Sequence, residues 1–352
     1  MREFDPDNIS NDSEDMADQA GELLLQKLSE RRRSLWSWFL DTSIFFSFDR
    51  SGLLRHQKEA FALPPAKPHE HILITGANSG LGFAAAAQLL ETGTTVSLLC
   101  RDRVRGEAAQ RALLTQTGKA PRLFIADLSD LKELHRAADD LIDQINQGDL
   151  PPITCLLHNA GFVPETLQRT EAGHERSVSV HLIGPTLLTS KLLSVMPRGS
   201  RVILLSSGGM YFAPLDLSQL ASPPEGDRFN GVFMYALTKR AQVELASLMH
   251  ARLRSRGIDV QSAHPGWADT PGVQRYLETF HRWMGGRLRS SAEGAEAVSW
   301  LCRLPPLSVS LFWFDWAPRS PYLLGKKPTP AALDALWAMV CDGAGLSADW
   351  TN

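Results

Sequence analysis

A three-layer αβα sandwich built on a doubly wound, mainly parallel α/β sheet is the fold class the sequence predicts, and three observations predict it. From His71 onward, short apolar runs alternate with longer amphipathic stretches, the pattern of repeated βαβ units. The first run, His71-Ile72-Leu73-Ile74, closes into TGANSGLG (75–82) and then opens the helix-forming stretch FAAAAQLLETG. The segments between runs are long enough for the crossover helices that parallel strands require.

Strands are expected near Ile72, Val96, Leu123, Ile153, Val202 and Val260, with a further one near Leu311. Helical periodicity covers 105–116, 131–145 and 234–255, and a terminal helix is expected over 330–341 after a proline-rich loop. At 352 residues with 43% hydrophobic content, the chain suffices for one large core. The expected organisation is an N-terminal extension over 1–69, a central domain over 70–305 and a strand, loop and helix extension over 306–352.

Residues 1–26 are acidic and polar, unlike a secretory signal, so an intracellular protein is expected, cytoplasmic or peripheral to a membrane. The stretch GELLLQKLSERRR follows, and then SLWSWFLDTSIFFSF (34–48), aromatic-rich behind Arg31-Arg32-Arg33. That segment is too short to span a bilayer. Trp36, Trp38, Phe45 and Phe46 either lie at a membrane interface or fold back over the core or an oligomer interface.

The formal net charge of −3 gives no global attraction to nucleic acid or acidic lipid, and small-molecule partners are expected instead. Cys100, Cys155, Cys302 and Cys341 lie far apart without a CxxC pair, which suggests neither a disulfide framework nor zinc. The ten histidines form no HExxH pattern, so no metal is expected, and His158 and His264 read as core or rim histidines beside strand ends.

A strand that runs into glycines and then a helix leaves backbone amides at a helix N-terminus, where the dipole favours an anion. Gly76, Gly80 and Gly82 are those glycines, and a nucleotide pyrophosphate is expected on them. After the second strand comes Arg101-Asp102-Arg103, where a site for NAD would place an acidic residue against the ribose hydroxyls. A guanidinium there matches a 2′-phosphate, so NADP(H) is preferred, while Asp102, one residue on, leaves NAD(H) open.

The spacing Gly-x-x-x-Gly-x-Gly, HNAG (158–161), SSGGM (206–210), Tyr-x-x-x-Lys at Tyr235 and Lys239, HPGWADTPGV (264–273) and RLRS (287–290) occur in this order. Together they resemble the short-chain dehydrogenases/reductases over residues 70 to 305. The resemblance implies a Rossmann-type fold and a nicotinamide dinucleotide held around Gly76, Asn78, Ser79, Gly80, Leu81 and Gly82. It also places Asp127 and Leu128 near the adenine, and Asn159, Ala160 and Gly161 on the adenosine side. Pro265, Gly266, Trp267 and Thr270 would hold the nicotinamide carboxamide. Assembly into homo-oligomers is a further implication.

On a helix the i, i+4 spacing of Tyr235 and Lys239 puts both side chains on one face. A tyrosine with a free pKa of about 10 serves at neutral pH only if positive charge stabilises its phenolate, and a shift of about 3 units takes about 4 kcal/mol. Lys239 would supply part of this and bind the nicotinamide ribose. The resemblance makes Ser207 the residue that polarises the substrate oxygen, with Ser206 one register away. A segment longer than usual, 208–234, separates this serine from Tyr235 and would cap the substrate pocket.

One position departs from the pattern. An asparagine that commonly passes protons from the lysine through water is replaced by His181, in VHLIGPTLLT. Histidine also binds water, so the relay either persists with altered pH dependence or is lost. The expected activity is interconversion of a carbonyl and an alcohol on a hydrophobic or lipid-like substrate. The alternative is a dinucleotide-binding sensor or scaffold.

Overall fold

In β1 (His71–Thr75), Ile72 and Ile74 join one apolar cluster and Leu73 joins another, so the strand is buried on both faces. That is the environment of a central parallel strand covered by helices on each side. The computed structural model describes residues 21–23, 26, 47–57, 61–276, 281–282, 284–322 and 327–351. The other strands are β2 (Thr95–Cys100), β3 (Arg122–Ile125), β4 (Cys155–His158), β5 (Arg201–Leu205), β6 (Asp259–His264), β7 (Phe312–Phe314) and β8 (Ala317–Arg319).

They form an eight-stranded sheet in the order β3-β2-β1-β4-β5-β6-β7-β8. All neighbouring pairs are parallel except β7 with β8. The strand expected near Ile153 begins at Cys155, after Pro151 and Pro152, which have no N–H to give a ladder. Because β7 pairs in parallel with β6, the sheet continues past residue 305 into the C-terminal extension.

Among the described residues, the helices of seven residues or more are α1 (Arg50–His56), α2 (Gly80–Glu91), α3 (Arg103–Thr117), α4 (Leu131–Asn146), α5 (Gly184–Leu192), α6 (Gly231–Leu253), α7 (Ser291–Leu301) and α8 (Pro330–Gly343). One face of the sheet packs on α4, α5, α6 and α8 through Leu134, Leu187, Leu245 and Trp337. The other packs on α1, α2, α3 and α7 through Leu53, Leu89, Leu113 and Trp300. The stretch Arg176–Val195, which includes the π-turn Ser179–Ile183 and α5, is long and apolar enough to cross a bilayer. Its most apolar window is 78% buried inside the protein, as in a core helix.

The residues after the aromatic N-terminal segment are tied to the domain. Leu53 is fully buried, and the Asp49 carboxylate caps α1 through the Gly52 amide (3.0 Å) and accepts from Arg287 Nη2 (2.7 Å). Arg289, also buried, donates to Asp315 and to the carbonyls of Ser47, Asp49 and Pro265. Trp36, Trp38, Phe45 and Phe46 lie outside the described residues. Phe48, which ends the aromatic run, packs edge-on to Trp267, Phe314 and His264.

Candidate active site

The strand order reverses between β1 and β4, and in such sheets a crevice opens beyond the C-terminal strand ends. Here a cavity of about 660 Å³ occupies that position. It is lined from the end of β1 by Gly76, Asn78, Ser79, Gly80 and Leu81, and from β2 by Arg101. Asp127 and Leu128 follow β3, Asn159, Ala160 and Gly161 follow β4, and Pro265, Gly266, Trp267 and Thr270 follow β6. Ser207, Tyr235 and Lys239 complete the wall. Of the residues singled out from sequence, Gly82 and His181 stand behind this wall.

The glycine turn after β1 has the features an anion needs. Ser79 precedes α2 with an extended backbone and makes no side-chain cap, whereas Asp102, Asp130, Asn230, Ser290 and Thr329 cap α3, α4, α6, α7 and α8. The first-turn amides of α2 are thereby left for a ligand, and the helix dipole favours a negative one. Gly76 has φ +67°, and a Cβ there would lie 2.8 Å from the Ala160 Cα, so the turn and the strand β4 loop approach too closely for any side chain. These features fit a dinucleotide pyrophosphate.

At the β2 end, Asp102 lines the same cavity, and its Oδ1 accepts from the Arg105 amide at 2.8 Å, which caps α3. Arg101 is 59% exposed at its side chain, and its Nη1 lies 3.9 Å from Asp127 Oδ2. Arg105, one helical turn on, also lines the cavity. Burial works to raise the Asp127 carboxyl, but hydrogen bonds from Ser129 and Arg176 outweigh it and hold the group below the usual carboxylate range.

The two adjacent serines have different partners. Ser206 Oγ is buried and donates to the Lys239 carbonyl at 2.7 Å, while Ser207 hydrogen-bonds the Tyr235 phenol. Burial pushes the Tyr235 phenol up, and the bond to Ser207 opposes that rise. Burial lowers Lys239 to about 7. Its ammonium lies 5.6 Å from the Tyr235 ring centroid and donates to the Leu205 carbonyl (2.8 Å) and Gln242 Oε1 (2.9 Å).

His181 sits on the π-turn, fully buried, and both ring nitrogens are engaged. The Phe162 amide donates to Nε2 (3.2 Å), and Nδ1 donates to Thr238 Oγ1 (2.8 Å), whose own proton goes to the Tyr235 carbonyl (2.9 Å). Burial, reinforced by Lys239, keeps this imidazole neutral.

Sequence reasoning missed Gln242, Arg105, Phe212 and Val232. A glutamine at i+3 from Lys239 and an arginine at i+4 from Arg101 carry a spacing signal only once the face of the helix is known. Phe212 and Val232, 63% and 51% exposed, lie within the long segment read as a cap, and both line the cavity. His158 is a core residue: its Nε2 meets Thr189 Oγ1 at 2.9 Å.

A family model described as enoyl-(acyl carrier protein) reductase matches residues 76–303. Dehydrogenase/reductase SDR family member 12 of Homo sapiens is 36% identical over 237 residues, covering 66% of this chain and 72% of that protein. Retinol dehydrogenase 11 of Mus musculus is 28% identical over 302 residues, 80% of this chain and 89% of its own length. Among solved structures, a short-chain dehydrogenase from Burkholderia cenocepacia J2315 in complex with NADP superimposes with a TM-score of 0.54 at 19% identity, covering 71% of this chain and 97% of that one. The Gly-x-x-x-Gly-x-Gly turn, the parallel sheet and these relatives together place the chain in the short-chain dehydrogenase/reductase family of oxidoreductases.

Proposed function

We propose that this protein is an NADP(H)-dependent oxidoreductase that interconverts a carbonyl and an alcohol on a hydrophobic substrate, with Tyr235 as general acid and base. The observation that carries this reading is the meeting of Ser207, Tyr235 and Lys239 in the cavity that also holds the uncapped N-terminus of α2. Arg101 and Arg105 favour NADP(H), since two guanidinium groups suit a 2′-phosphate. The NADP complex of the Burkholderia neighbour supports the same cofactor class. Phe212, Val232 and Trp267 support an apolar substrate.

A bound reduced nicotinamide would supply hydride to the carbonyl carbon. Tyr235 gives its phenolic proton to the carbonyl oxygen, and Ser207 donates a hydrogen bond to that oxygen. Lys239 stabilises the phenolate left behind and holds the ribose hydroxyls. The same groups run the oxidation in reverse. In the protein alone the phenol is pushed up, so its activation depends on positive charge brought next to it.

The second reading, a dinucleotide-binding sensor, is favoured by one observation: the imidazole that replaces the relay asparagine is saturated by Phe162 and Thr238. NADPH consumption by the purified chain across aldehydes, ketones, retinoids and steroids separates the two. Turnover that Tyr235→Phe removes supports the oxidoreductase. Tight NADPH binding with no carbonyl consumed by wild type supports the sensor.

A further inference from the structure

Gln242 is fully buried and follows Lys239 by three residues on α6, so the two side chains share a helix face. Its Oε1 accepts from Lys239 Nζ at 2.9 Å and its Nε2 donates to the His181 carbonyl at 2.8 Å. The Leu205 carbonyl takes a second ammonium proton at 2.8 Å, which leaves one for the cavity. A carboxamide neither takes up nor releases a proton near neutral pH. The His181 ring offers no alternative route, because Phe162 and Thr238 occupy its two nitrogens.

We propose that Gln242 is a positioning residue for Lys239: its amide bridges the ammonium to the His181 backbone and seals the lysine on the protein side, so that Lys239 exchanges protons only through the cavity. The inference rests on the reading of Lys239 as the partner of Tyr235. It gives the departure at His181 a physical meaning, since a side-chain amide stands where a water-linked exit would run.

The groups that face Nζ are few. Tyr235 lies on the same helix, and His181 approaches from the π-turn, where a Cβ on Gly161 would lie 3.0 Å from His181 Nε2 and 3.3 Å from Nζ. The end of β5 contributes the Leu205 carbonyl and the hydroxyls of Ser206 and Ser207, which carry no charge. Beyond Phe162, Arg176 is paired with Asp127. The acceptor on Gln242 is therefore the group whose replacement most directly changes the protonation of Lys239.

The test is the pH dependence of NADPH dissociation, read by nucleotide fluorescence from pH 5.5 to 9.5, on the full chain and on Gln242→Glu, Gln242→Met and Lys239→Met. Affinity in wild type falls as pH rises through the lysine pKa, because the ammonium holds the ribose, and Lys239→Met removes that inflection. A carboxylate against the ammonium moves the inflection upward by about one pH unit or more in Gln242→Glu, and loss of the acceptor moves it downward in Gln242→Met. If Gln242→Met does not fold, as judged by circular dichroism, the direction of the Gln242→Glu shift decides alone. An inflection absent from wild type, or unmoved in the folded variants, overturns the proposal. Turnover measured in parallel separates the two readings. A shifted inflection with no turnover in wild type refutes the reductase and keeps the positioning role, whereas turnover with an unmoved inflection refutes the positioning role alone.

Discussion

Ser206 and Ser207 are adjacent in sequence but face different partners, and single substitutions should separate their roles. Ser207→Ala lowers turnover by roughly 100-fold, the typical effect of removing one oxyanion donor, without loss of stability. Ser206→Ala keeps turnover and loses about 1 kcal/mol of stability, because it deletes a buried bond to the Lys239 carbonyl. Steady-state kinetics and urea denaturation check both. At the other end of the cavity, Arg101→Ala weakens NADPH binding by roughly 10- to 100-fold and leaves NADH binding unchanged, as one charge-assisted contact to a 2′-phosphate would require. Equal weakening of both cofactors, measured by fluorescence titration, would contradict the assignment of Arg101. The Tyr-x-x-x-Lys pair and the glycine turn were legible in the sequence because their spacings encode geometry. Ser206 against Ser207 was not, because a one-residue register depends on how β5 ends in three dimensions.

Elements with strong periodicity and caps were legible for the same kind of reason. Of the expected helices, α4 carries a clear one-sided apolar pattern and was placed to within a residue, whereas α6 is buried on most sides and begins at Gly231, behind its cap Asn230 and ahead of the expected 234. The short edge strand β8 was not foreseen: it is three residues long, contains Pro318 and pairs antiparallel after a turn at Asp315, with φ +54°. Nor did local pattern reveal that residues 47–57 belong to the domain, since their partners, Arg287, Arg289 and Asp315, lie near the other end of the chain. Burial opposes ionisation of Asp315, but Arg289 and His56 outweigh it and bring the carboxyl down to about 2. This segment also ties down the loop after β6, because the Trp267 amide donates to the Phe48 carbonyl at 2.8 Å. Asp49→Ala, which removes the cap of α1 and the partner of Arg287, is expected to lower stability by about 2 kcal/mol. A chemical denaturation midpoint unchanged by that substitution would show the segment to be peripheral.

At the scale of the whole molecule, the buried histidines His71, His158, His181 and His264 shape the response to acid. Burial lowers His71 to about 4 and His158 and His264 to about 3, and keeps His181 neutral as well. A folded pKa below the unfolded value near 6.5 means that the unfolded chain binds more protons below that pH, so stability is full above it and is lost as pH falls. Each such histidine contributes a loss of about 1.4 kcal/mol per pH unit below about 6.5, and the thermal midpoint should fall steeply between pH 6.5 and 4.5. A flat profile over that window would contradict the buried neutral state of these rings. On the proposed function, hydride passes to a carbonyl carbon beside Tyr235. The most direct test is transfer of deuterium from C4-deuterated NADPH to the carbonyl that the substrate panel identifies, followed by mass spectrometry in wild type and Tyr235→Phe. The account predicts an alcohol labelled by wild type, and label transfer reduced by at least about 100-fold in a variant that still binds NADPH. No label transfer by wild type with NADPH bound, or transfer undiminished in Tyr235→Phe, would contradict it.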